Sequence, residues 1–298
     1  MEEPKEIRQL RKKTIFYYTA IFVGSFAFFI FFLTVTASES EAELLAMIIL
    51  LFAMMFCLFV RKTTHEYYIE EYKNWLCNQV VRSVFDVEEY DPSRGFPERF
   101  VNETNLLPSG LFVNTDDYIK GSYNDIPFER SDVHVETLTY SGKRVRRVTL
   151  FLGTWTIFTV AKPISKLVII REKKFWGSLG FERKTASGNY KAERVKLESI
   201  LFNDDFEVFS EDEEEAFYVL NPAFMEKMSK LERAVEGHMI VAVIKDKIHV
   251  IFDTRKNILK PRLFDSNPKI EFDLMAKELQ HITLIADLLK ENVVANKK

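Results

Sequence analysis

MIVAVIKDKIHVIFD, residues 239–253, sets Met239, Val241 and Val243 before a Lys245-Asp246-Lys247 reversal and Ile248, Val250 and Phe252 after it. Two runs of β-branched and aromatic residues joined by a short polar reversal predict a β-hairpin. It is the clearest hairpin signal in the chain, and it commits this region to sheet structure.

Helices are predicted on both sides of the hairpin. Asn221-Pro222 opens one of them, because Asn caps well and Pro is tolerated at the first helical position. Phe224, Met228, Leu231 and Val235 then share a face, and Gly237 supplies the stop. After the hairpin, a last helix from about 272 to 290 presents Leu274, Leu279, Ile282, Ile285 and Leu289, before a polar tail. Strands and helices mixed in this way give an α+β class.

Just upstream lies FNDDFEVFSEDEEEAFYVL, residues 202–220. Phe202, Phe206 and Val208 read as a short strand. Ser210-Glu211-Asp212-Glu213 then matches a capping box, and acidic residues at a helix start meet the positive end of its dipole. Asp204, Asp205, Glu207, Glu211, Asp212, Glu213, Glu214 and Glu215 do not fit the calcium-loop register, which needs a central glycine and a terminal glutamate at fixed offsets. Capping and a solvated acidic face explain most of these charges. The remaining reading is an interaction surface at Asp204, Asp205, Glu211, Asp212, Glu214 and Glu215.

Further upstream, YIKGSYNDIPFERSDVHVETLTY alternates Val133 and Val135 against His134 and Glu136, and Ser141-Gly142-Lys143 supplies a turn. VRRVTLFLGTWTIFTVA follows as a strand, with Gly153 marking a bulge or a close backbone contact, and LVIIRE (167–172) adds another. Residues 173–195 carry three glycines and no period, and read as a long exposed loop. Basic residues gather twice: Lys143, Arg144, Arg146 and Arg147 at one reversal, and Arg171, Lys173, Lys174, Arg183, Lys184, Lys191, Arg194 and Lys196 around the glycine-bearing loop. In a domain held beneath a membrane, both groups are candidates for contact with anionic headgroups, with Lys173, Lys174, Phe175 and Trp176 the leading set because the two aromatic rings can enter the interface.

The N-terminal part has a different composition. IFYYTAIFVGSFAFFIFFLTV (15–35) has no charge and is long enough to cross the hydrocarbon core as a helix; LLAMIILLFAMMFCLFV (44–60) is nearer the lower limit. Arg8, Arg11, Lys12 and Lys13 precede the first run and TVTAS follows it, as in a signal peptide. The run exceeds a usual signal core and a second follows at once, so a retained helical hairpin is expected. Those four basic residues at one end, and Arg61 and Lys62 at the other, place both termini on the cytoplasmic side; the connecting loop carries Glu39, Glu41 and Glu43 and no base. HEYYIEEYKNWLCNQVVRSVF keeps a helical period to about Phe85 as a stalk, until DPSRGFP stops it.

The expected layout is residues 1–62 for a cytoplasmic N-terminus and transmembrane hairpin (spans about 15–36 and 43–60), 63–98 for stalk helix and linker, 99–275 for an α+β cytoplasmic region of one or two subdomains, and 276–298 for the last helix and tail. The two cysteines, Cys57 and Cys77, show no pairing or ligand spacing, in keeping with a reducing compartment. The formal net charge of −3 makes no case for nucleic acid.

Catalytic motifs are missing. His65, His134, His238, His249 and His281 form no HxH or HExxH, and there is no GxGxxG, GxxxxGK or GxSxG. No catalytic residue, cofactor or metal ligand is expected. An enzyme reading would need Asp204 or Asp205 to meet His134 or His249 in a pocket, as in a hydrolase or metal-assisted enzyme.

The two spans followed by HEYYIEEYK, the segments DYIKGSYNDIPFE and FLGTWTIF, and LESILFNDDFEVFSEDEEEAFYVLNPAFMEKMSKLE followed by HMIVAVIKDKIHVIFD resemble, over nearly the full chain, the bacterial membrane-protein family known as domain of unknown function 3137. The resemblance implies an integral protein of the bacterial inner membrane with a cytoplasmic α+β module, and brings no activity or ligand. The expected function is therefore a membrane-tethered interaction or regulatory module linked to envelope maintenance. Its expected partners are the bilayer, through two helices, and a protein. The alternatives are the enzyme above and a module that contacts anionic lipid peripherally.

Overall fold

A computed structural model describes residues 2–35, 41–142, 144–160, 167–176, 192–257, 259–264 and 267–289. The chain divides into two units: Met1–Cys77 with Lys260–Asp273, and Asn78–Leu259 with Leu274–Lys298.

In the first unit, α1 (Lys5–Val35) and α2 (Glu41–Tyr72) form an antiparallel pair, and a π-helical turn (Lys73–Cys77) follows. The direction shows in the contacts: Thr14 Oγ1 donates to Thr64 O at 3.4 Å and Ser25 Oγ to Met54 Sδ at 3.5 Å. Toward Tyr72 the pair ends in a polar cluster. Arg11 binds Glu3 at 3.0 Å, Tyr68 Oη donates to Arg262 O at 3.4 Å, and Tyr72 Oη donates to Glu271 Oε2 at 2.6 Å. Tyr68 and Tyr72 are fully buried and tie the 260–273 segment to α2. The apolar halves of both helices are instead exposed, with no buried residue in the most apolar stretch of either.

The second unit is built on one sheet. Its elements in chain order are α3 (Asn78–Val84), β1 (Asp86–Asp91), α4 (Glu98–Glu103), β2 (Phe112–Tyr123), β3 (Ile126–Ser141), β4 (Arg144–Thr159), β5 (Val168–Glu172), β6 (Glu193–Val195), α5 (Ile200–Asp205), β7 (Phe206–Ser210), α6 (Glu213–Val219), α7 (Pro222–Ala234), β8 (His238–Ile244), β9 (Lys247–Asp253) and the part of α8 (Pro268–Leu289) from Leu274 onward. A 3-10 turn, Lys173–Trp176, follows β5. Among the described residues nine strands are ordered β1-β2-β3-β4-β9-β8-β5-β7-β6, and every pairing between them is antiparallel.

One sheet face gathers Val133, Val135, Trp155, Ile157, Ile169, Ile240, Ala242 and Ile251 beneath Phe96, Val101, Leu106 and Leu107. On the other, Leu279 and Ile282 of α8 approach Thr154, Thr156 and Phe252. The predicted hairpin is β8–β9, with Lys245 at φ 57° in its two-residue turn. Gly153 has no side chain because β9 passes so close that a Cβ would overlap the Phe252 carbonyl.

β3 and β4 are 16 residues each and outrun their neighbours. β2 reaches only to Glu136 and β9 only from Thr154, so Thr137–Ser141 and Arg144–Val148 pair solely with each other as a ribbon.

Several local expectations are corrected. Phe202 belongs to α5, where Ser199 Oγ accepts from its N–H at 3.3 Å, so the strand begins only at Phe206. Ser210 does not cap α6: it is still in the ladder, paired with Val168 and Glu193, and its Oγ donates to Leu167 O. The cap is Asp212, whose Oδ1 accepts from Glu214 N at 2.9 Å and Glu215 N at 3.5 Å. β1 lies where the stalk and linker were expected. The exposed loop expected at 173–195 contains the 3-10 turn and β6, and its residues 177–191 lie outside the described ones. α7 follows the prediction: Asn221 Oδ1 accepts from Phe224 N at 3.0 Å, and Phe224, Met228 and Leu231 are buried.

Candidate functional site

A cluster of buried charge in the sheet unit lies where β2 slips register against β3 between Asp116 and Ile119. Asp91 prepares the slip by accepting from Ser93 N, Ser93 Oγ and Arg94 N, which folds the 91–96 loop back on itself. Burial pushes the Asp91 carboxyl up, but the Ser93 and Arg94 N–H groups and the Ser93 hydroxyl that donate to it, with the Arg94 charge beside it, hold it below the usual carboxylate range. The loop then accepts from the bulge, with Tyr118 N donating to Arg94 O at 2.8 Å. At the bulge Asp117 adopts φ 53° and is fully buried, and its Oδ1 accepts from Tyr90 Oη at 2.9 Å. Asp116 pairs across the strands with Asp132, and one oxygen from each of Asp116, Asp117 and Asp132 lies within 4.8 Å of the others.

Arg130, two residues before Asp132 on the same side of β3, binds Asp132 Oδ1 through Nη2. Its Nη1 is buried without a hydrogen-bond partner, and Arg130 lines, with Thr154, Thr156, Leu279 and Ile282, a cavity of about 20 Å³, the space of one water. Buried charges persist only when paired or ligated. This arrangement can share protons among three carboxylates or hold a hard cation on their oxygens, with Arg130 offsetting part of the charge. Sequence reading missed the trio, whose members come from two strands. Its local trace is Arg130 and Asp132 at inward-facing alternate positions and the Asp116-Asp117 doublet interrupting β2.

The acidic stretch is divided by β7. Asp204 is exposed and Asp205 half-buried at one end; Glu211 and Glu214 are exposed, and Asp212 and Glu215 half-buried, at the other. Five strand residues separate the groups by about 15 Å, so they are two small clusters. Glu207 between them is buried, bound by Arg171 at 2.8 Å and Arg194 at 3.5 Å. Lys173 and Lys174 fall in the 3-10 turn, with Lys174 exposed; the side chains of Phe175 and Trp176 lie outside the described residues.

The two histidines of the enzyme reading are placed apart. His134 Nε2 meets Thr149 Oγ1 at 3.1 Å on the surface side, while His249 is buried and its Nδ1 accepts from Trp155 Nε1 at 3.2 Å. Burial, with Lys247 nearby, lowers the His249 pKa to about 4. Among the described residues no contact joins Asp204 or Asp205 to either histidine.

Fold and site together define an α+β protein with two long apolar helices, a large antiparallel sheet and a buried carboxylate cluster. The family model described as Protein of unknown function (DUF3137) matches residues 149–291, about half the chain, and the chain belongs to that family. The match runs from β4 to the last helix; the two apolar helices, HEYYIEEYK and DYIKGSYNDIPFE lie outside it, so the resemblance does not reach nearly full length. No curated protein matches the chain. The crystal structure of the mycobacterial trehalose monomycolate transport factor A, TtfA, aligns over 73% of this chain and 91% of its own at 12% identity and a TM-score of 0.37, a likeness too low to carry a fold assignment.

Proposed function

We propose that this protein is a membrane-tethered interaction or regulatory module serving the cell envelope. In this reading α1 and the apolar half of α2 cross the bacterial inner membrane with both termini cytoplasmic. One observation carries the tether: Phe22, Phe26, Phe29, Phe52, Phe56 and Phe59 stand in the open, Phe22 77% and Phe59 70% exposed. Leaving each such side chain in water forgoes roughly 1.5–3 kcal/mol of burial, which a bilayer supplies. The orientation rests on Arg8, Arg11, Lys12, Lys13, Arg61 and Lys62 against Glu39, Glu41 and Glu43. The test places a single cysteine at Ser40 or in the tail, in a background with Cys57 and Cys77 replaced. An impermeant maleimide applied to intact cells should label the first and spare the second; the reverse pattern overturns the orientation.

Partner binding by the acidic clusters is favoured by what lies beside them. Phe217 and Tyr218, on the helix whose first turn is acidic, are 43% and 57% exposed. Deleting residues 202–220 would remove β7 from the sheet, so the cleaner variant is Glu211→Lys with Glu214→Lys, compared with the native protein by in-cell crosslinking and mass spectrometry. A reproducible partner lost in the variant supports the surface, and an unchanged partner set removes it.

A further inference from the structure

We propose that the β3–β4 ribbon is a contact arm for an anionic lipid surface, an inference that rests on the membrane tether proposed above. The ribbon's five paired rungs extend about 17 Å beyond its neighbouring strands. A two-stranded ribbon without a core is marginal by itself, and here its outer side chains find no burial within the unit: Tyr140 is 75% and Val145 54% exposed.

The rungs sort the side chains into two faces. Leu138 pairs with Arg147 and Tyr140 with Val145 on one; Thr137 pairs with Val148 and Thr139 with Arg146 on the other, which also carries Arg144. Arg147 is already engaged, 3.3 Å from Glu136 and over the Phe112 ring at 4.1 Å. Arg144 and Arg146 have no acidic partner among the described residues, and no acid occurs in the sequence from Thr137 to Gly153. The arm therefore offers, on one face, two guanidiniums without an acidic partner among the described residues, Arg144 and Arg146, and on the other, one aromatic and one aliphatic side chain, Tyr140 and Val145.

That pairing matches a bilayer interface, where phosphates meet the cations and the headgroup boundary receives Tyr140 and Val145. A nucleic acid would satisfy the arginines and leave Val145 and Leu138 in water. Tethering by two helices keeps the lipid surface at high effective concentration, so contacts that are weak one by one suffice.

The experiment uses the full chain carrying Cys57→Ala, Cys77→Ala and Thr139→Cys, labelled at residue 139 with an environment-sensitive dye. It is placed in phosphatidylcholine nanodiscs with or without phosphatidylglycerol. Co-elution with the discs scores the tether; quenching of the dye by headgroup-labelled lipid scores the arm. The expected result is strong quenching only with phosphatidylglycerol, reduced about 10-fold by Arg144→Glu with Arg146→Glu and partly by the milder Arg144→Gln with Arg146→Gln. Co-elution with equal quenching in both discs, or quenching indifferent to both double variants, overturns the arm while leaving the tether. A dye response to a single-stranded oligonucleotide in place of phosphatidylglycerol would reassign the arm to nucleic acid. Failure to co-elute removes the tether and this inference together.

Discussion

His249 shows how one buried polar residue makes the sheet sensitive to pH. Trp155 Nε1 can only donate, so His249 Nδ1 accepts and the ring is neutral. Its folded pKa is about 4 against 6.5 for the unfolded chain, so the unfolded state binds the extra proton between those values. Stability is full above pH 6.5 and falls toward pH 4, by on the order of 3 kcal/mol at most. His249→Gln should lower stability at neutral pH and flatten the melting temperature across that window; an unchanged slope would show that another group titrates there. Arg130 and Asp132 should behave as a unit. Arg130→Met or Asp132→Asn alone should cost about 3–5 kcal/mol, and the double variant less than the sum, a coupling that a double-mutant cycle of chemical unfolding measures. Gly153 was legible as a point of close approach, and Gly153→Ala should destabilise by about 1–3 kcal/mol or more, because backbone has to move. The Asp116, Asp117 and Asp132 convergence was not legible, since it depends on a register slip that no local pattern of apolar residues marks.

At the scale of elements, the chain announces its helix starts and its tight hairpins, because both depend on neighbours within a few residues. Asn221-Pro222 opens α7 as expected. Asn267-Pro268 opens α8 by the same chemistry, with Asn267 Oδ1 accepting from Lys269 N at 3.1 Å and Ile270 N at 3.4 Å, although apolar periodicity alone had placed that start four residues later. Ser210 misled because Ser-x-x-Glu fits a capping box wherever it occurs, while the ladder to Val168 holds the serine extended. Asp212→Ala should cost about 1 kcal/mol and fray α6, and Asp212→Asn should retain most of the cap; equal loss in both, read by thermal unfolding, would contradict Asp212 as the capping residue. β1 escaped notice because DVEEYD is polar and sits at the sheet's edge, where a strand needs no apolar alternation.

At the scale of the molecule, the exposed apolar surface of α1 and α2 predicts an integral protein. Cell membranes washed with alkaline carbonate or strong salt should retain the chain, and detergent should release it; release by salt alone would mean surface attachment. The sheet unit was legible as α+β but not as one sheet. Its single nine-stranded order depends on β5 lying between β8 and β7 and on β4 meeting β9, pairings decided by side-chain burial across long separations. Local residues say that a strand exists, and only the assembled faces say which strand is its neighbour.

The β4–β9 seam also sets a timetable for a chain made from its N-terminus. β4 is complete at Thr159, but the partner for its open edge begins at Lys247, 247 − 159 = 88 residues later. At roughly 5–20 residues per second, synthesis leaves that edge uncovered for about 4–18 s. Meanwhile β1 to β4 can already pair as a meander. The nascent protein therefore passes through a half-sheet with a sticky border, the interval in which a ribosome-associated chaperone has most to protect.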